Sequence, residues 1–141
     1  MNERKKVLYS YLEIFITSQL LLLLITMGED VVFIKKGEEK SITKKPGKLY
    51  RLIVKSHKME AIVAELDPHM ESKWFQHEGE EMHFVLQGEM EYTVDEKSYK
   101  LTEGDILWHT SMLKHQARNI GSEKVIYITV GTPPTFMSNM L

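Results

Sequence analysis

The sequence predicts an all-β domain preceded by one N-terminal α-helix. Three observations carry that expectation. From residue 49 onward, short runs rich in Ile, Val, Leu and Tyr recur at short, even spacing. Gly and Asp turn signals separate them, and no helical segments alternate with them as they would in an α/β protein. The first thirty residues, by contrast, carry a Leu-rich apolar run of helical length.

Residues 1–30 begin with Arg4, Lys5 and Lys6 and continue into the apolar stretch 7–27. Glu13, Thr17, Ser18 and Gln19 interrupt it, so the unbroken part, residues 20–27, is far below the length needed to span a bilayer. No A-x-A-like cleavage site follows, which argues against a secretory signal. The segment reads as a helix that buries its apolar side on a partner or on its own barrel, with membrane insertion the less favoured reading. Residues 31–141 form the second expected unit. Within it, residues 35–48 hold six Lys, two Glu, Pro46 and Gly47 and read as a solvated polar connector. Strands are expected at 49–54, 59–66, 82–87, 89–94, 99–101, 106–108, 115–119 and 125–130. Gly88, Asp95-Glu96, Gly104-Asp105 and Gly121 punctuate the series, and Pro133-Pro134 ends the last strand because neither can donate to a ladder.

Charge and composition exclude several functions. The chain has 141 residues, one domain's worth. Eighteen Lys and Arg against twenty Asp and Glu leave a formal charge of −2, which argues against direct nucleic-acid binding. Absence of Cys removes disulfides, thiolate metal sites and thiol nucleophiles together, so any metal must be held by His, Asp or Glu. A reducing compartment, and hence a cytoplasmic location, is expected.

Chemistry concentrates between His77 and His115. His77 and Glu81 are separated by three residues, across a stretch containing Gly79, and Gly88 closes the segment seven positions after Glu81. If the strand alternates, His83, Val85 and Gln87 share the face of Glu81. Further on, Gly104, His115 and Asn119 recur at fixed offsets. These two sets resemble the two motifs of the cupin family, G-x5-H-x-H-x3/4-E-x6-G and G-x5-P-x-G-x2-H-x3-N. The resemblance implies a double-stranded β-helix, the jelly-roll cupin barrel, with His77, Glu81 and His115 holding a divalent metal (Fe, Mn, Zn or Ni). The departures are specific: the first motif's leading His falls on Phe75, and the second motif's Pro and inner Gly fall on Thr110 and Met112. Two His and one carboxylate remain, the pattern associated with non-haem Fe(II) sites.

His83 has three readings: a replacement for the missing His, a catalytic or substrate-contacting group, or a core histidine satisfied by one hydrogen bond. A ligand pocket is expected to include His83, Val85, Trp108 and Asn119. His109 reads as an ordinary strand-end residue, His57 and His69 as turn residues, and Trp74, Phe75, Phe84 and Trp108 as wall or core.

Between residues 59 and 136 the chain more closely resembles the C-terminal sensor barrel of helix-turn-helix regulators. The strings that carry this are His77-Glu-Gly-Glu-Glu81, Val85-Leu-Gln-Gly-Glu89, Tyr99-Lys-Leu-Thr-Glu-Gly-Asp105 and Thr132-Pro-Pro-Thr-Phe136. Thirty residues with one Leu-rich run do not supply a helix-turn-helix domain. That resemblance implies a barrel binding a small-molecule ligand beside its metal. The hydroxypropylphosphonate epoxidases offer an enzymatic alternative with the same His-x3-Glu…His arrangement, in which Fe(II) would serve an oxygenase. A metal-free structural barrel is the third reading. A homodimer is expected under each, because sheet edges and the apolar helix need covering.

Overall fold

The computed structural model describes residues 31–134. The chain divides between Val32 and Phe33, and the architecture below is that of the second unit. The helix expected over residues 1–30 and the string's last residues, 135 and 136, lie outside the described residues. Among the described residues no helix is long and apolar enough to cross a membrane.

Among the described residues nine strands follow one another: β1 (Lys40–Lys45), β2 (Lys48–Lys55), β3 (Glu60–Leu66), β4 (Glu80–Gln87), β5 (Glu89–Val94), β6 (Lys97–Thr102), β7 (Ile106–Thr110), β8 (His115–Asn119) and β9 (Val125–Thr132). They form two antiparallel sheets, one ordered β1-β2-β3-β9-β4-β7 and the other β6-β5-β8. The expected connector at 35–48 is corrected here, since β1 lies inside it and β2 begins at its end. Its sequence, Lys-Ser-Ile-Thr-Lys-Lys, carries too many charges to read as a strand. As the outermost strand of the larger sheet it tolerates them, because Lys on an edge blunts pairing with other chains.

Alternation of side chains decides what faces the interior. Along β5 the pattern is strict: Met90, Tyr92 and Val94 are buried, and the residues between them are only partly so. The same holds for Val125, Tyr127 and Thr129 along β9. These inward rows meet Tyr50, Ile62, Ala64, Leu66, Val85, Leu101 and Ala117 to make one apolar cluster between the sheets. Full burial of each large aliphatic side chain contributes about 1.5–3 kcal/mol. β3 is buried along its whole length, as a central strand flanked by β2 and β9 should be.

The segment between β3 and β4 has no strand of its own, yet it is pinned along β8. Ser72 N–H donates to Ala117 O (2.8 Å), Phe75 and His115 exchange backbone hydrogen bonds (2.9 Å each), and Asn119 N–H donates to Met70 O (2.8 Å). This pinned segment carries His77 to the mouth of the barrel.

Candidate metal centre

Four histidines and one glutamate converge where the two sheets face each other. β4 supplies two of them by alternation: Glu81 and His83 are 4% and 1% exposed, while Met82 between them points outward. β7 lies beside β4 with Glu81 directly opposite His109, so the same pleat sends both side chains inward. From the smaller sheet, the first residue of β8, His115, is fully buried. His77 is placed by its N–H bond to Ser111 O (2.9 Å) and by the turn at Gly79.

Glu81 is the hub. Its Oε1 lies 3.0 Å from His77 Nε2, and its Oε2 lies 3.3 Å from His115 Nε2, 3.6 Å from His83 Nε2 and 3.7 Å from His109 Nε2. On the far side of each ring, the other nitrogen is tied down. His77 Nδ1 meets Glu78 O at 2.9 Å, His109 Nδ1 meets Thr110 O at 3.0 Å, and His115 Nδ1 meets Leu113 O at 2.8 Å. A backbone carbonyl can only accept, so each of these Nδ1 atoms carries its proton and each Nε2 is turned toward the cluster. His83 Nδ1 lies 2.9 Å from Thr129 Oγ1, a hydroxyl that suits either tautomer.

Two contacts fix how protons are shared within the cluster. His83 Nε2 and His109 Nε2 stand 3.0 Å apart, a contact satisfied when His83 carries its proton on Nε2 and donates to His109 while the Thr129 hydroxyl donates to His83 Nδ1. His77 must carry a second proton to donate to Glu81 while its Nδ1 donates to Glu78 O. The electrostatics agree. The hydrogen bond to Glu81, set against desolvation, raises the His77 pKa above its ordinary value. Burial pushes His83 down to about 3 and also lowers His109, so both rings are neutral. For Glu81, burial favours the neutral acid, but hydrogen bonds from His115 and His77 outweigh it and hold the carboxyl well below the usual carboxylate range.

The donor set fits a divalent cation. Among the described residues two groups of ligand atoms are compact enough to hold an ion, His77–Glu81–His115 and Glu81–His83–His109, and they share the carboxylate. Metal–nitrogen and metal–oxygen bonds are about 2.0–2.2 Å, so two ligands of one ion lie at most about 4.3 Å apart. Every histidine contact with Glu81 satisfies that limit. Imidazole with carboxylate suits Zn, Fe, Ni or Mn. The backbone carbonyls that accept from the Nδ1 atoms are the outer partners that orient ligating imidazoles.

The structure thus brings together His77, Glu81 and His115, and adds His83 beside them. It also corrects the reading of His109, which belongs to the cluster and is 5% exposed. A signal existed, since residues 107 and 109 share one face of β7. Finding it required the β4–β7 register, which the intervening β5–β6 hairpin hides from the sequence. Phe75, at the position of the missing ligand, stacks on the His115 ring with centroids 6.0 Å apart.

Three expected pocket residues lie elsewhere. Trp108 is 60% exposed, because β7 turns it to the face opposite His109. Asn119 is fully buried but spends its side chain on the turn after β8: Nδ2 donates to Leu66 O and Glu123 O, and Oδ1 accepts from Gly121 N–H. Val85 packs in the apolar cluster. The cavity beside Glu81 is lined instead by Tyr50, Tyr92, Tyr127, Ser72 and Thr129, together with His83 and Phe75.

A two-sheet antiparallel barrel with histidines and a glutamate gathered between its sheets is the architecture of a cupin. Residues 62–131 match the Cupin_2 family of cupin domains, and the chain carries a domain of that family. An uncharacterized protein of Archaeoglobus fulgidus is 42% identical over 65 residues, 46% of this chain and 61% of that protein, so the match spans less than two thirds of its relative. The fold is similar to KdgF from a Halomonas species (TM-score 0.67, 19% identity, 73% of this chain and 94% of that one). It is also similar to the Cupin_2 domain of an XRE family transcriptional regulator from Enterobacter cloacae (TM-score 0.59, 20% identity, 62% and 98%).

Proposed function

We infer that this chain is a cupin that binds a small molecule next to a divalent metal, in the manner of a sensor barrel. The observation that carries the reading is the ring of histidine Nε2 atoms around buried Glu81, with three of the opposite nitrogens anchored to backbone carbonyls. His77, Glu81 and His115, joined by His83 and His109, would hold the ion. A bound ion would supply a Lewis-acidic position for an oxygen atom of the ligand. The chain's own groups orient the imidazoles, exclude bulk water and wall the adjacent cavity.

Elemental analysis tests this directly, on protein purified without chelator and reconstituted anaerobically with Fe(II), Mn(II), Zn(II) or Ni(II). Near-stoichiometric metal, lost in His115→Ala, is the expected result. No metal in either protein would leave a metal-free barrel. The trio His77, Glu81 and His115 also supports the oxygenase reading, because two His and one carboxylate leave ion positions open. Oxygen uptake by the Fe(II)-loaded protein separates an oxygenase from a sensor.

The partner we infer is a second copy of this chain, in the cytoplasm and without nucleic acid. Trp108 and Ile106 are about 60% exposed on edge strand β7, and Met82, directly opposite Trp108 on β4, and Leu86 add about 40% each. Isolated exposed apolar residues are ordinary, but a contiguous row on a sheet edge is a docking signal. Light scattering on wild type should give a dimer mass, and Trp108→Glu should give a monomer with an unchanged circular dichroism spectrum. A wild-type monomer at tens of micromolar would overturn the dimer.

A further inference from the structure

His83 differs from the other three histidines of the cluster in what holds its outer nitrogen. His77, His109 and His115 each set Nδ1 against a backbone carbonyl, which can only accept, so a proton is fixed on each of those atoms. His83 Nδ1 instead faces the Thr129 hydroxyl at 2.9 Å, and a hydroxyl can donate or accept.

With protein groups alone, the neighbouring ring decides which of the two Thr129 does. His109 is neutral and keeps its one proton on Nδ1, so its Nε2 can only accept. His83 Nε2, 3.0 Å away, therefore carries the proton of their hydrogen bond. Burial keeps His83 neutral too, so its Nδ1 is a bare acceptor and Thr129 is the donor.

In that form His83 cannot bind a cation, because the proton sits on the lone pair that would bind it. Rotating the ring offers no remedy. His83 is 1% exposed, with the Tyr92 ring 4.2 Å and the His109 ring 5.2 Å away and Tyr127 edge-on at 6.3 Å. Turning it over would also put carbon atoms at both polar contacts. Moving the proton from Nε2 to Nδ1 frees the lone pair and keeps the hydrogen bond to Thr129, provided the hydroxyl changes from donor to acceptor. The ring holds one proton before and after, so its charge does not change. A carbonyl in place of the hydroxyl would forbid the bond to His109, and a backbone N–H would forbid the ion.

We propose that Thr129 is a positioning residue for the metal, admitting His83 to the ligand set by reversing its hydroxyl as the His83 proton passes from Nε2 to Nδ1. This role rests on the metal centre inferred above and adds to it the outer partner of its most buried histidine pair.

Two-bond proton–nitrogen NMR spectra of the full chain labelled with 15N-histidine test it, since they distinguish a protonated ring nitrogen from a bare one. In metal-free protein His83 should be protonated on Nε2. After Zn(II) loading, with metal content measured separately, it should be protonated on Nδ1, while His109 and His115 keep their Nδ1 protons throughout. Thr129→Val keeps the side chain's shape and removes the hydroxyl. It should weaken Zn(II) binding about tenfold in competition with a chelator, because the ion-polarised Nδ1–H loses a stronger bond than the metal-free ring does. Thr129→Ser keeps the hydroxyl and should bind as tightly as wild type. Wild-type affinity in Thr129→Val, as expected of a residue that only packs, would overturn the role. A His83 that keeps its Nε2 proton beside bound zinc, or already carries it on Nδ1 without zinc, would do the same and leave the metal centre standing. Failure of wild type to take up zinc would remove the metal centre and this role together.

Discussion

Glu81→Gln should abolish high-affinity metal binding while leaving the barrel folded. The amide keeps the size of the carboxylate and can still hydrogen-bond to neighbouring imidazoles, so the packing between the sheets need not change. What disappears is the one negative charge within 3.0–3.7 Å of four histidine Nε2 atoms. Losing an outer partner of a metal ligand typically costs about 10–100-fold in affinity. Losing the central anionic ligand should therefore cost more than about 100-fold, equivalent to about 2.7 kcal/mol. Two readouts check this. Metal retained after desalting should fall from near one per chain to a trace. The rise in thermal midpoint on adding metal to wild type, worth about 2.7 kcal/mol at one hundred times the dissociation constant, should vanish. Stoichiometric metal in Glu81→Gln would show that the histidines bind without it and would sink the hub role.

Gly79→Ala should be the most damaging single substitution in the loop that carries His77. Gly79 has φ +103°, where L side chains are strained, and a Cβ there would collide with the carbonyl oxygen of Thr132 at the end of β9. Left-handed backbone costs a residue with a Cβ about 1–2 kcal/mol before any clash is counted. Here the obstacle is backbone, which cannot swing aside. A loss of about 3 kcal/mol is expected, and with a urea m-value of about 1–3 kcal/mol/M the midpoint should fall by at least about 1 M. Gly104→Ala is the matched control: φ is +88° but the space around a Cβ is open, so only the conformational cost remains. Metal affinity should fall in Gly79→Ala and hold in Gly104→Ala, because Gly79 stands two residues from His77. Equal losses of stability at both positions would remove the steric argument.

Much of the barrel was legible in the sequence because strand alternation is a local property. The row Glu81, His83, Val85 followed from the two-residue period alone, and the structure places all three inward. The row stops there, since a register shift between Val85 and Gln87 leaves Gln87 exposed. Strand β1 escaped detection because an edge strand is allowed charges that a central one is not. Asn119 could not be separated from a pocket residue by spacing, as a turn-closing amide and a ligand-binding amide have the same identity and differ only in what they touch.

By itself, the sequence determined the strand series, the inward face of β4 and the residue types able to hold a cation, since these depend on neighbours two to seven positions away. The absence of Cys limited those types to His and carboxylate from the outset. Only the tertiary structure decided that His109 joins the cluster and Trp108 leaves the pocket, because a one-residue change of register between β4 and β7 would exchange them. It also decided that three tyrosines from β2, β5 and β9 meet around one cavity. Those strands pair with different neighbours across two sheets, and their convergence follows from closing the barrel.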